Sequence, residues 1–481
     1  MSIKLRLILM NFLQFFVWGS WLLTIGAYWF QNRHWSGTSF GAIFSTMGIA
    51  SLFMPSITGI IADKWISAEK LYGLLHIGGA IVLFTLPMAE SPTTMFWIML
   101  LNMMFYMPTI ALAISVAYNA LKDDGRDVVR DYPPIRVWGT IGFIVALWTV
   151  SLLHLETSAA QFYVASGASL LLGLYAFTLP KCPPKLGKSQ SRLLIDRLGL
   201  TSFALLKNPN MAVFFFFAML LGAALQLTNA YGDTFLHDFA SIDLYKDAAT
   251  PDYWSMFIRA AVVSVGAIVL MLALRNPLRR YFGSSAKYGW MVVPLAAAVA
   301  ITPAWVVIKY PAIIMSISQI SETLFILAIP FFLRRFGIKT VMVISMLAWF
   351  LRFGLLAYGN PGGGLWMIVL SCIVYGMAFD FFNISGSLFV ETQSDPKIRA
   401  SAQGLFMVMT NGIGAVLGSS LSGIIIDRYF TLADQSKDWH GIWLTFAIYA
   451  LVMAVLFVPL FKHRHDPAAM RSLHADNRLG A

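Results

Sequence analysis

Asp380 stands in the middle of an apolar run, Leu365 to Phe382, that is long enough to cross a bilayer. A carboxylate at that depth costs about 2.5–3.5 kcal/mol on insertion scales, so it should face a partner or a watery cavity rather than lipid. Beside it, Tyr375, Phe379 and Asn383 recur every four residues, which lines them along one helix face. An acid flanked by two aromatics and an amide has the composition of a site wall. The plainer alternative is that Asp380 only holds helices together.

Three further groups share this character. In Pro133-Pro-Ile-Arg136-Val-Trp-Gly-Thr140-Ile-Gly-Phe143, the residues Arg136, Thr140 and Phe143 fall at i, i+4 and i+7, on one face of a fifth span. A guanidinium there can hold a carboxylate or a substrate hydroxyl; the alternative is an arginine anchoring the inner interface. Gln226 with Asn229, and Gln319 with Glu322, are each three residues apart and therefore helix neighbours. One amide in a span often just bonds an adjacent helix. Four polar groups on two helices, added to Asp380 and Arg136, are more than helix pairing requires. Glu322 is a second acid within a span, and it and Asp380 are the candidate proton carriers. His76 and Arg352 read as packing or interface residues, and Asp427-Arg428 as an outer helix end. Amides pair with a base edge or with sugar hydroxyls, and Phe143, Tyr375 and Phe379 can stack on a planar base. Few fixed charges argue for a neutral polar solute, a nucleoside or a sugar.

The elements that must position these groups follow from composition. The chain has 481 residues, 58% hydrophobic and 12% charged, about half the charged share of a soluble domain. Apolar segments of about 20 residues recur along its length, so it reads as an all-α polytopic membrane protein. The net charge of +11 sits in loops, which points to topology and not to nucleic acid. Cys182 and Cys372 suggest neither a disulfide framework nor a metal site. No cluster has metal-ligand spacing and no nucleophile–base pair stands out, so neither a cofactor nor an enzyme is expected.

Spans are expected near 6–30, 38–62, 71–88, 94–118, 137–156 and 161–180, then 211–236, 254–274, 288–308, 312–333, 340–358, 365–388, 402–426 and 441–461. The basic start leads into an apolar run with no small-x-small cleavage site, so it reads as a retained first helix. With the N-terminus inside, the inward segments hold 27 of the 34 lysines and arginines, as the positive-inside rule demands. Both termini are then cytoplasmic. The organisation is an N-terminal six-helix bundle (1–180), a cytoplasmic central loop (181–210), a C-terminal bundle (211–461) and a cytoplasmic basic tail (462–481). The segment Ser191–Leu206 reads equally as an amphipathic surface helix or a plain tether. Segments 254–274 and 288–308 enclose a basic turn and form an inserted hairpin, 254–308. If only one of them crossed, Arg334-Arg-Phe-Gly-Ile-Lys339 would face outward against the charge rule. About 14 spans result.

After the second span, Gly59-Ile-Ile-Ala-Asp63-Lys64 places a small residue before an acid and a base, a pattern that can let helices approach and latch an inner gate. It resembles, in shortened form, the gating loop of the major facilitator superfamily. The blocks Phe16-Val-Trp-Gly-Ser-Trp21, Pro133–Phe143, Ser316-Ile-Ser-Gln-Ile-Ser-Glu-Thr-Leu-Phe325 and Phe379-Asp-Phe-Phe-Asn-Ile-Ser-Gly-Ser387 are together similar to the nucleoside:proton symporter family of that superfamily. The similarity covers about 1–237 and 311–465. It implies two pseudo-symmetric six-helix bundles, alternating access, and proton-coupled uptake of purine and pyrimidine nucleosides across a bacterial inner membrane by a monomer. It also implies that Arg136, Thr140, Phe143, Gln226, Asn229, Gln319, Glu322, Tyr375 and Phe379 surround the nucleoside, with Asp380 close by. Two departures stand out. The hairpin is extra to the twelve-span plan, and Ala224 occupies a position where some members carry an acid. An oligosaccharide:proton symporter of the same superfamily and a sensor without transport stay open as alternatives.

Overall fold

The computed structural model describes residues 2–184, 200–245, 302–394 and 398–463, with 250, 252–254, 256–258 and 261–262. The chain is helical throughout these residues, and nine of the described helices are long and apolar enough to cross a membrane. The main helices, shorter ones included, are in chain order α1 (Ile3–Gly19), α2 (Gly37–Lys64), α3 (Ala68–Thr85), α4 (Pro92–Asp123), α5 (Val128–Leu152) and α6 (Ala160–Ala176). Then follow α7 (Pro209–Asp238), α8 and α9 (311–336 and 338–358), α10 (Leu365–Gln393), α11 (399–430, part α and part π) and α12 (Trp439–Leu460). Of the expected hairpin 254–308, the described residues include only scattered positions at its start and a short helix, Ala304–Lys309; the rest lies outside them. Most of Ser191–Leu206, and the tail beyond residue 463, also lie outside.

Local chemistry sets where the helices start. Ser36, Ser91 and Asp438 accept from the backbone N–H three residues on, capping α2, α4 and α12. Pro92 and Pro209 occupy first-turn positions, where the missing N–H costs nothing. The first span departs from expectation: α1 ends at Gly19, and the chain resumes only as a short turn, Ile25–Ala27, and a π turn, Tyr28–Asn32. A larger departure is that α8 and α9 meet with no loop. Gly337 alone bends the chain, at φ 76° and ψ 169°, a region open essentially to glycine.

The described residues form two compact units. The first comprises 1–207, 218–235 and 395–437. In it α1 packs on α5 so closely that a Cβ on Gly142 would stand 2.1 Å from the Phe12 carbonyl oxygen. Its core holds Leu7, Met10, Leu71, Val116 and Leu172 around a buried polar network centred on Gln14. Tyr72 and His76 both bond Gln14 Oε1, at 2.7 and 2.8 Å, while Gln14 Nε2 donates to Thr109 at 2.8 Å. His76 is thus a packing residue tying α3 to α1, and its other ring nitrogen lies 3.1 Å from Ser169 Oγ on α6. In the same unit Asp427, at the end of α11, accepts the Gly37 and Thr38 N–H groups at 2.7 and 2.6 Å. The expected outer helix end is therefore also a charged cap on α2.

The second unit comprises 208–217, 236–394 and 438–481. Here α8, α9 and α10 pack together, and α12 covers α9 through the parallel rings of Phe353 and Trp443. A Cβ on Gly376 of α10 would stand 2.6 Å from the Ser321 carbonyl carbon and 2.7 Å from the Glu322 nitrogen of α8. The Ser321 hydroxyl also donates to the Ile373 carbonyl across this seam. Glycine at 376 thus brings α10 against the turn of α8 that carries Glu322.

Candidate functional site

The second unit gathers Gln319 and Glu322 from α8 with Tyr375, Phe379 and Asp380 from α10. Tyr375 and Phe379 lie one turn apart with parallel rings, centroids 5.9 Å apart and 5° between planes. Trp349 of α9 meets Tyr375 edge-on at 5.9 Å and fixes that plane. Tyr375 is buried whereas Phe379 is half-buried, so the pair offers a ring face. Asp380 is 4% exposed, and Glu322 is half-buried on the facing helix. The two acids repel one another electrostatically, and Tyr375 feels both. Asn383 departs from the expected wall: its amide nitrogen turns back to the Phe379 carbonyl, 3.2 Å away.

In the first unit, Arg136 and Thr140 are half-buried on α5 and Phe143 is buried. The fifth helix starts at Val128, earlier than expected, so Arg136 lies two turns inside it rather than at its mouth. Its guanidinium carbon stands 4.1 Å from the centre of the Phe15 ring on α1, a cation–π contact that holds the side chain along the helix. Gln226 is buried and Asn229 half-buried on α7, with Ala224 fully buried on the same helix.

Three of these polar groups share one property. Gln226 Oε1, Gln319 Oε1 and Asp380 Oδ2 are buried and have no hydrogen-bond partner among the described residues. Leaving such an atom unmatched costs about 1–3 kcal/mol, more for a charged group, so a polar ligand or a proton would be stabilised there.

The expected gate residues behave differently. Asp63 and Lys64 are exposed at the end of α2 and form no ion pair among the described residues. Gly59 makes no close helix approach, since a Cβ there would meet nothing within 4 Å. Ala62 and Ile61 on the same turns pack into the core, but the Gly59 position meets no neighbour, so the small residue brings no helix close here.

Sequence reasoning missed Asp233. It is fully buried on α7, one turn beyond Asn229 and two beyond Gln226. The signal was available: an acid inside the run 211–236, of the kind that singled out Asp380. Arg352, taken for packing, is fully buried against Tyr375.

Comparison with known proteins agrees across the whole chain. Residues 1–466 match the family described as Nucleoside H+ symporter. The chain is 51% identical over 472 residues to the xanthosine permease of Escherichia coli K12, covering 98% of this chain and 99% of that one. It is 46% identical over 467 residues to the nucleoside permease NupG of the same organism, covering 97% of each. Among solved structures, a single-residue mutant of the nucleoside transporter NupG superposes with a TM-score of 0.81 at 45% identity, covering 96% of this chain and all of that one.

Proposed function

The chain belongs to the nucleoside H+ symporter family, and from that premise we propose that it imports nucleosides against their gradient by coupling them to proton entry. The observation that carries this reading is the pair Glu322 and Asp380, set on two helices pressed together at Gly376, beside the Tyr375–Phe379 ring pair. A base can stack on the Phe379 face while Gln319 offers an amide to its edge. Arg136, Thr140, Phe143, Gln226 and Asn229 line the substrate route in the same reading, with Arg136 donating to ribose hydroxyls.

The mechanism is alternating access. From the outer side one acid takes a proton. Neutralising it lowers the cost of closing a water-poor chamber around a neutral solute. The carrier then opens inward, and substrate and proton leave. The chain crosses the bacterial inner membrane many times, with both termini in the cytoplasm, as two six-helix bundles. It acts as a monomer, and Asp63 and Lys64 serve the inner gate as surface charges rather than through a glycine contact.

Labelled uridine uptake into proteoliposomes, with and without an imposed pH gradient, tests the coupling. The Glu322→Gln variant should lose accumulation while retaining counterflow, the exchange of labelled for unlabelled uridine. Undiminished uphill uptake by that variant would reject Glu322 as a carrier. Competition by xanthosine, adenosine and a disaccharide in the same assay separates a nucleoside carrier from a sugar carrier. Xanthosine belongs in the panel because of the permease that shares 51% of its residues with this chain.

A further inference from the structure

Behind the ring pair of the second unit lies a cation to which the transport reading assigns no task. Arg352 of α9 is fully buried, and an intramembrane guanidinium is expensive enough to be retained chiefly where it does something. Its guanidinium carbon stands 4.6 Å from the centre of the Tyr375 ring. Nη1 donates to the Ser371 carbonyl of α10 at 2.7 Å and reaches Ser318 Oγ of α8 at 3.4 Å. The Cys372 thiol is a further neighbour. One side chain therefore ties α9 to both helices that carry the acids, and it presses on the ring that stacks with Phe379. Tyr375 in turn interacts electrostatically with Glu322, Asp380 and Arg352 together.

We propose that Arg352 is a positioning residue for transport, holding Tyr375 in its stacking plane while its fixed charge offsets the Glu322–Asp380 pair when that pair holds one proton. The inference rests on the proton-coupled reading above. With both carboxylates ionised the three side chains sum to −1; one proton on either carboxylate oxygen brings them to zero. A dry, closed state favours the neutral sum. One proton per nucleoside is the coupling that this charge count supports, with the same proton released to water on the inner side. The packed elements also carry Arg334 and Arg335 on α8, Lys339 and Tyr358 on α9, Cys372, Tyr375 and Glu391 on α10, and on α12 Tyr449 and His440, whose Nδ1 lies 2.8 Å from the Ala357 carbonyl at the end of α9. The count is taken over the two acids and Arg352 alone.

The test compares Arg352→Lys and Arg352→Gln in the full chain, in proteoliposomes, by uridine counterflow as a function of pH and by gradient-driven accumulation. Arg352→Lys keeps the charge and should retain both the wild-type pH midpoint and accumulation, with weaker substrate affinity from the lost planar contact on Tyr375. In Arg352→Gln the acids hold their proton more tightly. The counterflow midpoint should move to higher pH by about one unit or more, and accumulation should fall by at least tenfold while counterflow persists. A Gln variant with the wild-type midpoint and accumulation would overturn the proposal. So would equal losses in both variants at every pH, because a purely structural role moves no midpoint. If Arg352→Gln does not fold, the Arg352→Gln/Asp380→Asn double variant restores the charge count and should recover folded protein; failure to recover it would count against charge balance. A wild-type chain indifferent to the imposed gradient would instead sink the proton-coupled reading, independently of any Arg352 variant.

Discussion

A single methyl group at position 376 tests how the second unit holds its acids. In Gly376→Ala the new Cβ would stand 2.6–2.7 Å from three backbone atoms of Ser321 and Glu322, where ordinary contact begins near 3.4 Å. No side chain can swing aside, so α8 and α10 must separate locally by about 0.8 Å. Overpacking of this kind costs about 1–3 kcal/mol. The larger effect falls on transport, because Glu322 is displaced relative to Tyr375 and Asp380. A misplacement on the order of 1 Å can reduce a positioned reaction by about 100-fold. The expected outcome is a counterflow rate lowered by about 10- to 100-fold, with a modest fall in melting temperature. The two are read by labelled uridine exchange in proteoliposomes and by thermal unfolding in detergent. Gly354→Ala on α9 is the matched control, since a Cβ there meets nothing within 4 Å. If Gly376→Ala transports and melts like Gly354→Ala, the seam does not set the spacing of the acids and the reasoning fails.

Two further substitutions probe the first unit. Gln14→Leu removes the acceptor of Tyr72 and His76 and the donor to Thr109. Each buried group left unmatched costs about 1–3 kcal/mol, so the variant should melt many degrees lower or fail to accumulate in membranes. A melting temperature within a degree or two of wild type would show that the network is dispensable. Asp427→Ala uncaps the Gly37 and Thr38 N–H groups and should cost about 1–2 kcal/mol, with Asp427→Asn recovering part of it. Equal stability of all three chains, measured by thermal unfolding, would remove the cap from the account.

The apolar runs made most helices legible, and their boundaries shift for identifiable reasons. Pro133 and Pro134 suggested a start after them, yet α5 begins at Val128. Both prolines are exposed near its first turns, where the lost hydrogen bonds are replaced by solvent. The first span looked continuous to Phe30 because hydropathy does not register the break after Gly19. Hydropathy likewise suggested a loop between α8 and α9 where one glycine suffices. At the candidate site, helical spacing found Tyr375, Phe379 and Asp380 on α10, and the structure adds how Gly376 sets them against Glu322. Asp233 was lost among stronger signals on α7. Arg352 was read as a packing or interface residue, and its contacts, Ser371, Ser318 and Tyr375, lie up to 34 residues away on other helices. No local pattern encodes those.

The bend at Gly337 makes α8 and α9 the two arms of a pair of tweezers. Glu322 and Arg352 each lie fifteen residues from it, at matching heights on opposite arms. At 1.5 Å per residue each arm is about 22 Å long, so a swing of about 5° at the glycine changes the distance between acid and cation by about 2 Å. Lys339 fixes the base of one arm by donating to the Val458 carbonyl at 2.8 Å. With no slack chain at the vertex, rotation about one residue's two torsions becomes a change in the spacing of Glu322 and Arg352.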